Sequence, residues 1–260
     1  MDSWSSGQSY ESYVGRWSRL VAGEFLSWLT VPAGGRWLDV GCGTGALTET
    51  VLRDCQPSVI VGVEPSAAFR DHATQLVRDR RGTFVAGSAE ALPLDDDSVD
   101  AVVSGLVLNF LPDRVAALRE MRRVARPGRT VAAYVWDYPG QMQLLSYFWD
   151  TAVALAPAAG PLHEGVRFGF CRPEPLHTLF DDAGLRDIAV AGVVVPVHFG
   201  SFDDYWAPFL RGTGPAPGYA MSLSEAARVA LRETLRARLP RDDDGSIRLS
   251  ARAWAVRGSA

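Results

Sequence analysis

The chain has 260 residues, of which 47% are apolar and 22% charged, with a formal net charge of -4. That length buries a full core, as one domain or one domain with a large insertion. The acidic balance and the lack of a dense basic run argue against a nucleic-acid partner, because phosphate binding relies on clustered positive charge.

All 26 basic residues are Arg and none is Lys. This points to a GC-rich genome and excludes lysine Schiff-base chemistry. In chain order, the opening MDSWSSGQSYESY has neither the basic end nor the apolar core of a signal peptide. The longest nearly apolar stretch, 188–199, is shorter than the roughly 20 residues of a spanning helix. Cys42, Cys55 and Cys171 have no metal-like spacing and make no disulfide framework. The expected setting is therefore cytoplasmic.

Trp37-Leu38-Asp39-Val40 reads as a first strand running straight into the glycines of LDVGCGTGALTE, residues 38–49, with a helix from Ala46 to Leu52. Val59 to Val63 is a second buried strand ending at Glu64-Pro65, and Ser66 is placed to cap a helix from Ala67 to Val77. Thr83 to Ala86 and Val99 to Val103 are the third and fourth strands. A helix opens at Asp113 with an apolar stripe of Val115, Leu118, Met121 and Val124, and stops at Arg126-Pro127-Gly128. Thr130 to Trp136 is the fifth strand.

The second half is predicted as a helix over 141–155, a Pro/Gly-rich stretch to about Pro173, and a helix over 174–180. A long sixth strand follows over 188–199, then an aromatic, loop-like stretch over 201–218, a helix over 224–239 and a last strand over 246–256. Alternation of strand and helix with short loops predicts an α/β fold with a parallel sheet and helices on both faces. The division expected is a helical cap over 1–30, a core over 31–200 and 245–260, and an inserted lid over 201–244.

The glycine loop has two readings. Gly41-x-Gly43-x-x-Ala46 fits the G-x-G-x-x-A turn of a dinucleotide site, where a helix N-terminus faces a pyrophosphate. Asp39-x-Gly41-x-Gly43-x-Gly45 fits a site for S-adenosylmethionine. Glu64 stands at the right remove to bind ribose in either case. Asp39 separates them: a second negative charge is unfavourable beside a pyrophosphate and favourable beside an ammonium and a sulfonium. It is otherwise a carboxylate capping its own glycine turn.

Downstream, VAGSAEALPLDDDSVDAVVSGLVLNFLPD, residues 85–113, and LREMRRVARPGRTVAAYVWD, ending at Asp137, resemble the third- to fifth-strand motifs of class I S-adenosylmethionine-dependent methyltransferases. With LDVGCGTG and Glu64 the motifs run in the family's order over residues 36–137. YESYVGRWSR near the start resembles the leading helix of its bacterial small-molecule branch of ubiquinone-biosynthesis type.

The resemblance implies a Rossmann-like doubly wound seven-stranded sheet, order 3-2-1-4-5-7-6 with the last strand antiparallel, and S-adenosylmethionine as cofactor. Carried over by position, Gly41 and Gly43 pass under the methionine moiety with Asp39 shaping the loop. Glu64 holds the ribose hydroxyls, Pro65 and Ser66 flank the adenine, Ala89 offers it an N–H, and Leu106 lies near the methionine end. Tyr13 and Arg16 close the site. Ser88 departs from the pattern, which usually has Asp there; a neutral acceptor makes a bond roughly half as strong as a charged one.

The implied activity is methyl transfer to a small apolar or aromatic acceptor, met by Asn109, Trp136, Tyr138 and Trp206 at and beyond the strand ends. Trp206 and Phe209 equally suit packing of the lid. A general base is required only for a hydroxyl or acidic-carbon acceptor. His163, His198 and Asp137 lie nearest such a position, whereas His72 reads as surface and His177 as packed. No catalytic residue is assigned. The alternatives are an NAD(P)-dependent reductase and a protein that binds S-adenosylmethionine without transferring a methyl group.

Overall fold

The computed structural model describes residues 15–211 and 214–260. The chain divides into two compact units. The larger comprises Ser18–Val135, Phe170–Val193 and Ala253–Ala260; the smaller comprises Trp136–Gly169, Val194–Arg252 and the described residues up to Trp17.

From Ser18 in α1 (Arg16–Leu29) the larger unit continues as β1 (Arg36–Val40), α2 (Ala46–Asp54), β2 (Val59–Val63), α3 (Ala67–Leu76), β3 (Gly82–Val85), β4 (Val99–Gly105) and α4 (Arg114–Val124), into β5 (Ala125–Trp136) as far as Val135. β1 pairs in parallel with β2 and β4, β2 with β3, and β4 with β5. Parallel strands covered on both faces need continuous apolar runs. Leu38, Val40, Ile60, Val102, Val103 and Val131 supply them, all buried. The expected caps form: Ser66 Oγ accepts from Phe69 N and Asp113 Oδ1 from Ala116 N at 2.9 Å.

The later elements are α5 (Gln143–Leu155), α6 (Glu164–Arg167), α7 (Pro173–Asp182), β6 (Arg186–Phe199), α8 (Phe202–Trp206), α9 (Pro215–Ser222), α10 (Glu225–Arg238) and β7 (Ile247–Ser259). The sheet order is β3-β2-β1-β4-β5-β7-β6, as expected. β7 runs antiparallel to β5, because Gly128 N bonds to Ala260 O whereas Asp137 N bonds to Arg252 O.

Three expectations are corrected. β5 begins at Ala125, so Arg126-Pro127-Gly128 belong to the strand rather than to a turn. The stretch 201–218 is not a loop: it holds α8, a 3-10 turn over Ala207–Arg211 and the start of α9. His177 is exposed, because α7 buries Leu176 and Phe180 on its inner face instead.

Within the smaller unit the core is aromatic. Phe148 of α5 stacks on Phe209 at 4.5 Å and 9°, and Tyr205 OH donates to Leu144 O at 3.0 Å. Among the described residues no helix is long and apolar enough to cross a membrane.

Candidate functional site

The carboxyl ends of β1, β2 and β3 lie level, since Val40 pairs with Val63 and Val63 with Val85. The segments leaving these ends and that of β4 carry the candidate residues of the larger unit: Asp39 to Gly45, Glu64 to Ser66, Ser88 with Ala89, and Leu106 to Asn109. Ligands of open α/β sheets bind at this end.

The three glycines have three different reasons. Gly41 (φ 71°) has Val107 packed over it, and a Cβ there would lie 2.6 Å from Val107 Cγ2. Gly45 (φ 88°) is the N-cap of α2, and its Cβ would meet Ala73 of α3 and Val77, the residue that follows α3, at 3.2 Å. Gly43 (φ 52°) has no atom within 4 Å of its would-be Cβ. Sterics with the protein explain two of the glycines; at Gly43 only the backbone angle and open space remain.

Four of the loop's amides are already bonded within the protein. Gly41 N and Cys42 N bond to Val63 O at 2.8 and 3.1 Å, Gly45 N to Cys42 O at 2.8 Å, and Gly43 N to Glu64 Oε2 at 3.2 Å. A pyrophosphate cradle needs such donors unpaired. Here Gly41, Cys42 and Gly45 give theirs to main-chain carbonyls and Gly43 gives its own to Glu64, one of two carboxylates at the loop.

Asp39 is 1% exposed. Its Oδ2 accepts from the Thr48 hydroxyl at 2.7 Å, and its Oδ1 has no hydrogen-bond partner among the described residues. Asp39 therefore braces α2 and does not cap the glycine turn. Burial pushes its carboxyl up to about 7; the Thr48 bonds oppose that and the nearby Glu64 charge adds to it. The neighbouring Cys42 thiol is pushed far up, chiefly by burial, which leaves it an inert packing group.

Glu64 is 8% exposed, at the end of β2. Its Oε1 accepts from Ser66 N at 2.9 Å, and Arg70 of α3 bonds to its main-chain carbonyl. That brace is a residue the sequence reading missed; an Arg six positions after the acid, one turn into α3, was the available signal.

Leu106 follows β4 in a left-handed conformation (φ 63°) with its N–H bonded to Tyr134 O at 2.8 Å, a costly angle for a non-glycine residue. Asn109 is buried in the 3-10 turn Leu108–Phe110. Ser88 is half-buried and Ala89 buried, in a tight loop closed by Ala91 N to Ser88 O at 3.2 Å. The Glu90 Oε1 atom beside them is buried without a partner among the described residues.

The remaining described candidates fall in the smaller unit. Tyr13 lies outside the described residues, and Arg16 is described only as the first residue of α1. Trp136, Tyr138 and Trp206 are all buried, Tyr138 against the Phe168 ring at 4.8 Å and Trp206 against those of Phe202 and Phe209. Asp137 is gripped by Arg252, whose Nη2 and Nε both donate to Oδ2, at 2.7 and 2.9 Å, which makes it a structural carboxylate. His163 accepts from Gly165 N at Nδ1 and faces Asp150 at Nε2, so both ring nitrogens are engaged. His198 is exposed on β6.

Residues 38–133 match the model of a methyltransferase domain family. The chain is 35% identical over 168 residues to the demethylmenaquinone methyltransferase of Roseiflexus sp. (strain RS-1), covering 60% of this chain and 70% of that one. The chain belongs to the class I S-adenosylmethionine-dependent methyltransferases.

Two solved structures share the methyltransferase fold. One, from Anabaena variabilis ATCC 29413, is assigned to the methyltransferases of an antibiotic biosynthesis pathway; it has a TM-score of 0.64 at 18% identity and covers 93% of this chain and 97% of that one. The other is the Haemonchus contortus phosphoethanolamine N-methyltransferase 2, with a TM-score of 0.57 at 16% identity, covering 92% of this chain and 52% of that one. As a member of this family the methyltransferase takes S-adenosylmethionine as its cofactor, which decides between the two readings of the glycine loop.

Proposed function

We propose that this methyltransferase transfers the methyl group to a quinone-like, apolar small molecule, and that Asp39, Gly41, Gly43, Glu64, Pro65, Ser66, Ser88, Ala89 and Leu106 hold its cofactor. One observation carries the cofactor assignment: Asp39 Oδ1 is buried without a hydrogen-bond partner among the described residues, four positions before an open Gly43, in a loop whose Gly41, Cys42 and Gly45 amides bond to main-chain carbonyls and whose Gly43 amide is taken by Glu64. Such a place suits a cation that can come close to the backbone, and it repels a phosphate. The acceptor class rests on the relative named for demethylmenaquinone.

S-adenosylmethionine supplies an electrophilic methyl on a sulfonium leaving group. What remains for the protein is chiefly alignment and exclusion of water. Asp39 would accept from the cofactor's ammonium, whose positive charge would favour the ionised carboxylate. Glu64, held by Gly43 N and Ser66 N, keeps lone pairs for the ribose hydroxyls. The 201–244 segment, with Trp206, and the aromatic residues Trp136 and Tyr138 give the acceptor its selectivity. Proton removal from the acceptor is not assigned to His163 or Asp137, because both are engaged in structural bonds.

The test is transfer of labelled methyl from S-adenosylmethionine to demethylmenaquinone, offered oxidised and chemically reduced, beside simple phenols and amines. Labelling of the quinone or its reduced form above the others supports the proposal. Labelling confined to amines overturns the acceptor class.

A further inference from the structure

At the amino-end side of β4 and β5, away from the glycine loop, the larger unit has a cavity of about 480 Å³ whose charged lining is Arg119, Arg122, Arg123 and Arg186 together with Asp96 and Asp97. The arginines come from the last turns of α4 and from the start of β6. In a chain of net charge -4 this is a local concentration of cations.

The four are not equivalent. Arg123 is neutralised by Glu120 and Asp96, both at 2.7 Å. Arg119 donates to the Asp182 carbonyl at 3.3 Å and has no carboxylate partner among the described residues. Arg122 and Arg186 have neither a hydrogen bond from the guanidinium nor an ion pair among the described residues. Asp96 is taken up by Arg123, which leaves Asp97 as the acidic side chain near three guanidinium groups that have no carboxylate partner among the described residues. Compensation of the α4 dipole accounts for basic residues in its last turn. It does not account for Arg186, which is on a strand and faces the same space.

We propose that this cavity binds a small molecule carrying a diphosphate group. Guanidinium forks match phosphate oxygens in paired, charge-assisted bonds, and three of them around one concavity favour a multivalent anion over a single carboxylate. The volume admits a diphosphate with an attached organic group. Asp97 opposes a fully negative occupant, and because Arg119 already donates to the Asp182 carbonyl, the guanidinium groups of Arg122 and Arg186 carry most of the attraction.

Inorganic pyrophosphate is the probe, titrated calorimetrically at fixed ionic strength into protein saturated with S-adenosylhomocysteine, which keeps the cofactor loop out of the measurement. Saturable binding is expected, weakened about tenfold by Arg122→Gln and by Arg186→Gln, and unchanged by Arg53→Gln, whose residue pairs with Asp54 elsewhere on the surface. Sulfate at equal ionic strength should compete poorly. No saturable heat, or equal weakening by all three variants, overturns the proposal, and neither result bears on the methyl-transfer assignment.

Discussion

Arg70 Nη1 donates to the carbonyl oxygen of Glu64 at 2.6 Å and to that of Pro65 at 2.8 Å, tying the first turn of α3 to the end of β2. The Glu64 carboxylate is thus held from two sides, its oxygens by loop amides and its main chain by a cation. Replacing Arg70 by Met should weaken S-adenosylhomocysteine about tenfold, the loss expected for a charged hydrogen-bond donor. Calorimetry on Arg70→Met and Arg70→Lys checks this, with partial recovery expected in the Lys variant. If both bind as wild type, Arg70 does not position Glu64.

Asp39 makes binding depend on pH in a direction that can be worked out. Its carboxyl sits near 7 when folded, against the ordinary 3.8. The folded protein therefore holds a proton that the unfolded chain has lost between about pH 4 and pH 7. This group's contribution to stability is full below about pH 4 and is lost as pH rises through about 7. A ligand ammonium prefers the ionised carboxylate, so affinity for S-adenosylhomocysteine should rise from pH 6 to 8 and then level. Asp39→Asn should abolish that rise, bind the ligand more weakly, and melt a few degrees higher than wild type at pH 8.

The glycines of one loop should separate when each becomes Ala. Gly41→Ala drives a methyl into Val107 and should destabilise the fold by about 2 kcal/mol or more. Gly43→Ala meets open space, so only the left-handed backbone opposes it, at about 1 kcal/mol. Its main effect should be lost cofactor binding. Paired denaturant melts and ligand titrations test this, and a Gly43→Ala protein that binds normally would remove Gly43 from the site.

The Asp137–Arg252 pair gives a prediction about stability alone. Asp137 is 2% exposed, so Arg252→Met leaves a buried carboxylate without its cation, at a cost of about 3–5 kcal/mol. Adding Asp137→Asn should recover most of that loss in a denaturant melt. Failure of the second substitution to recover stability would show that Arg252 acts through other contacts.

How much of this was legible beforehand follows from the kind of signal each residue carries. β2 could be read at both ends because VIVGV is a continuous apolar run bounded by Ser58 and Glu64. The start of β5 was misread because Pro127-Gly128 signals a turn. In the fold they occupy a stretch beside a register shift, where Gly128 still bonds to Ala260, and proline is tolerated at such irregularities. α9 was hidden by Pro215 and Pro217, although proline at a helix start is favourable, since its missing N–H has no partner there. His177 was misassigned from its neighbours Leu176 and Leu179, when the buried pair is Leu176 and Phe180, four residues apart on one face.

In the site, Asp39 and Glu64 could be named from spacing and charge. Their supports could not. Thr48, Arg70 and Val107 are ordinary residues in a linear sequence and gain their roles only when β1, β2 and β4 bring their ends level. The engaged state of His163 and Asp137 was equally invisible, because Gly165 N and Arg252 are known as partners only from the fold.

The most direct test of the assignment is calorimetric titration of S-adenosylhomocysteine and of NADH into wild type and into Glu64→Gln. Wild type should bind S-adenosylhomocysteine saturably and the variant at least tenfold more weakly, with no saturable NADH binding by either. Tight NADH binding, or S-adenosylhomocysteine binding equally strong in the variant, would contradict it.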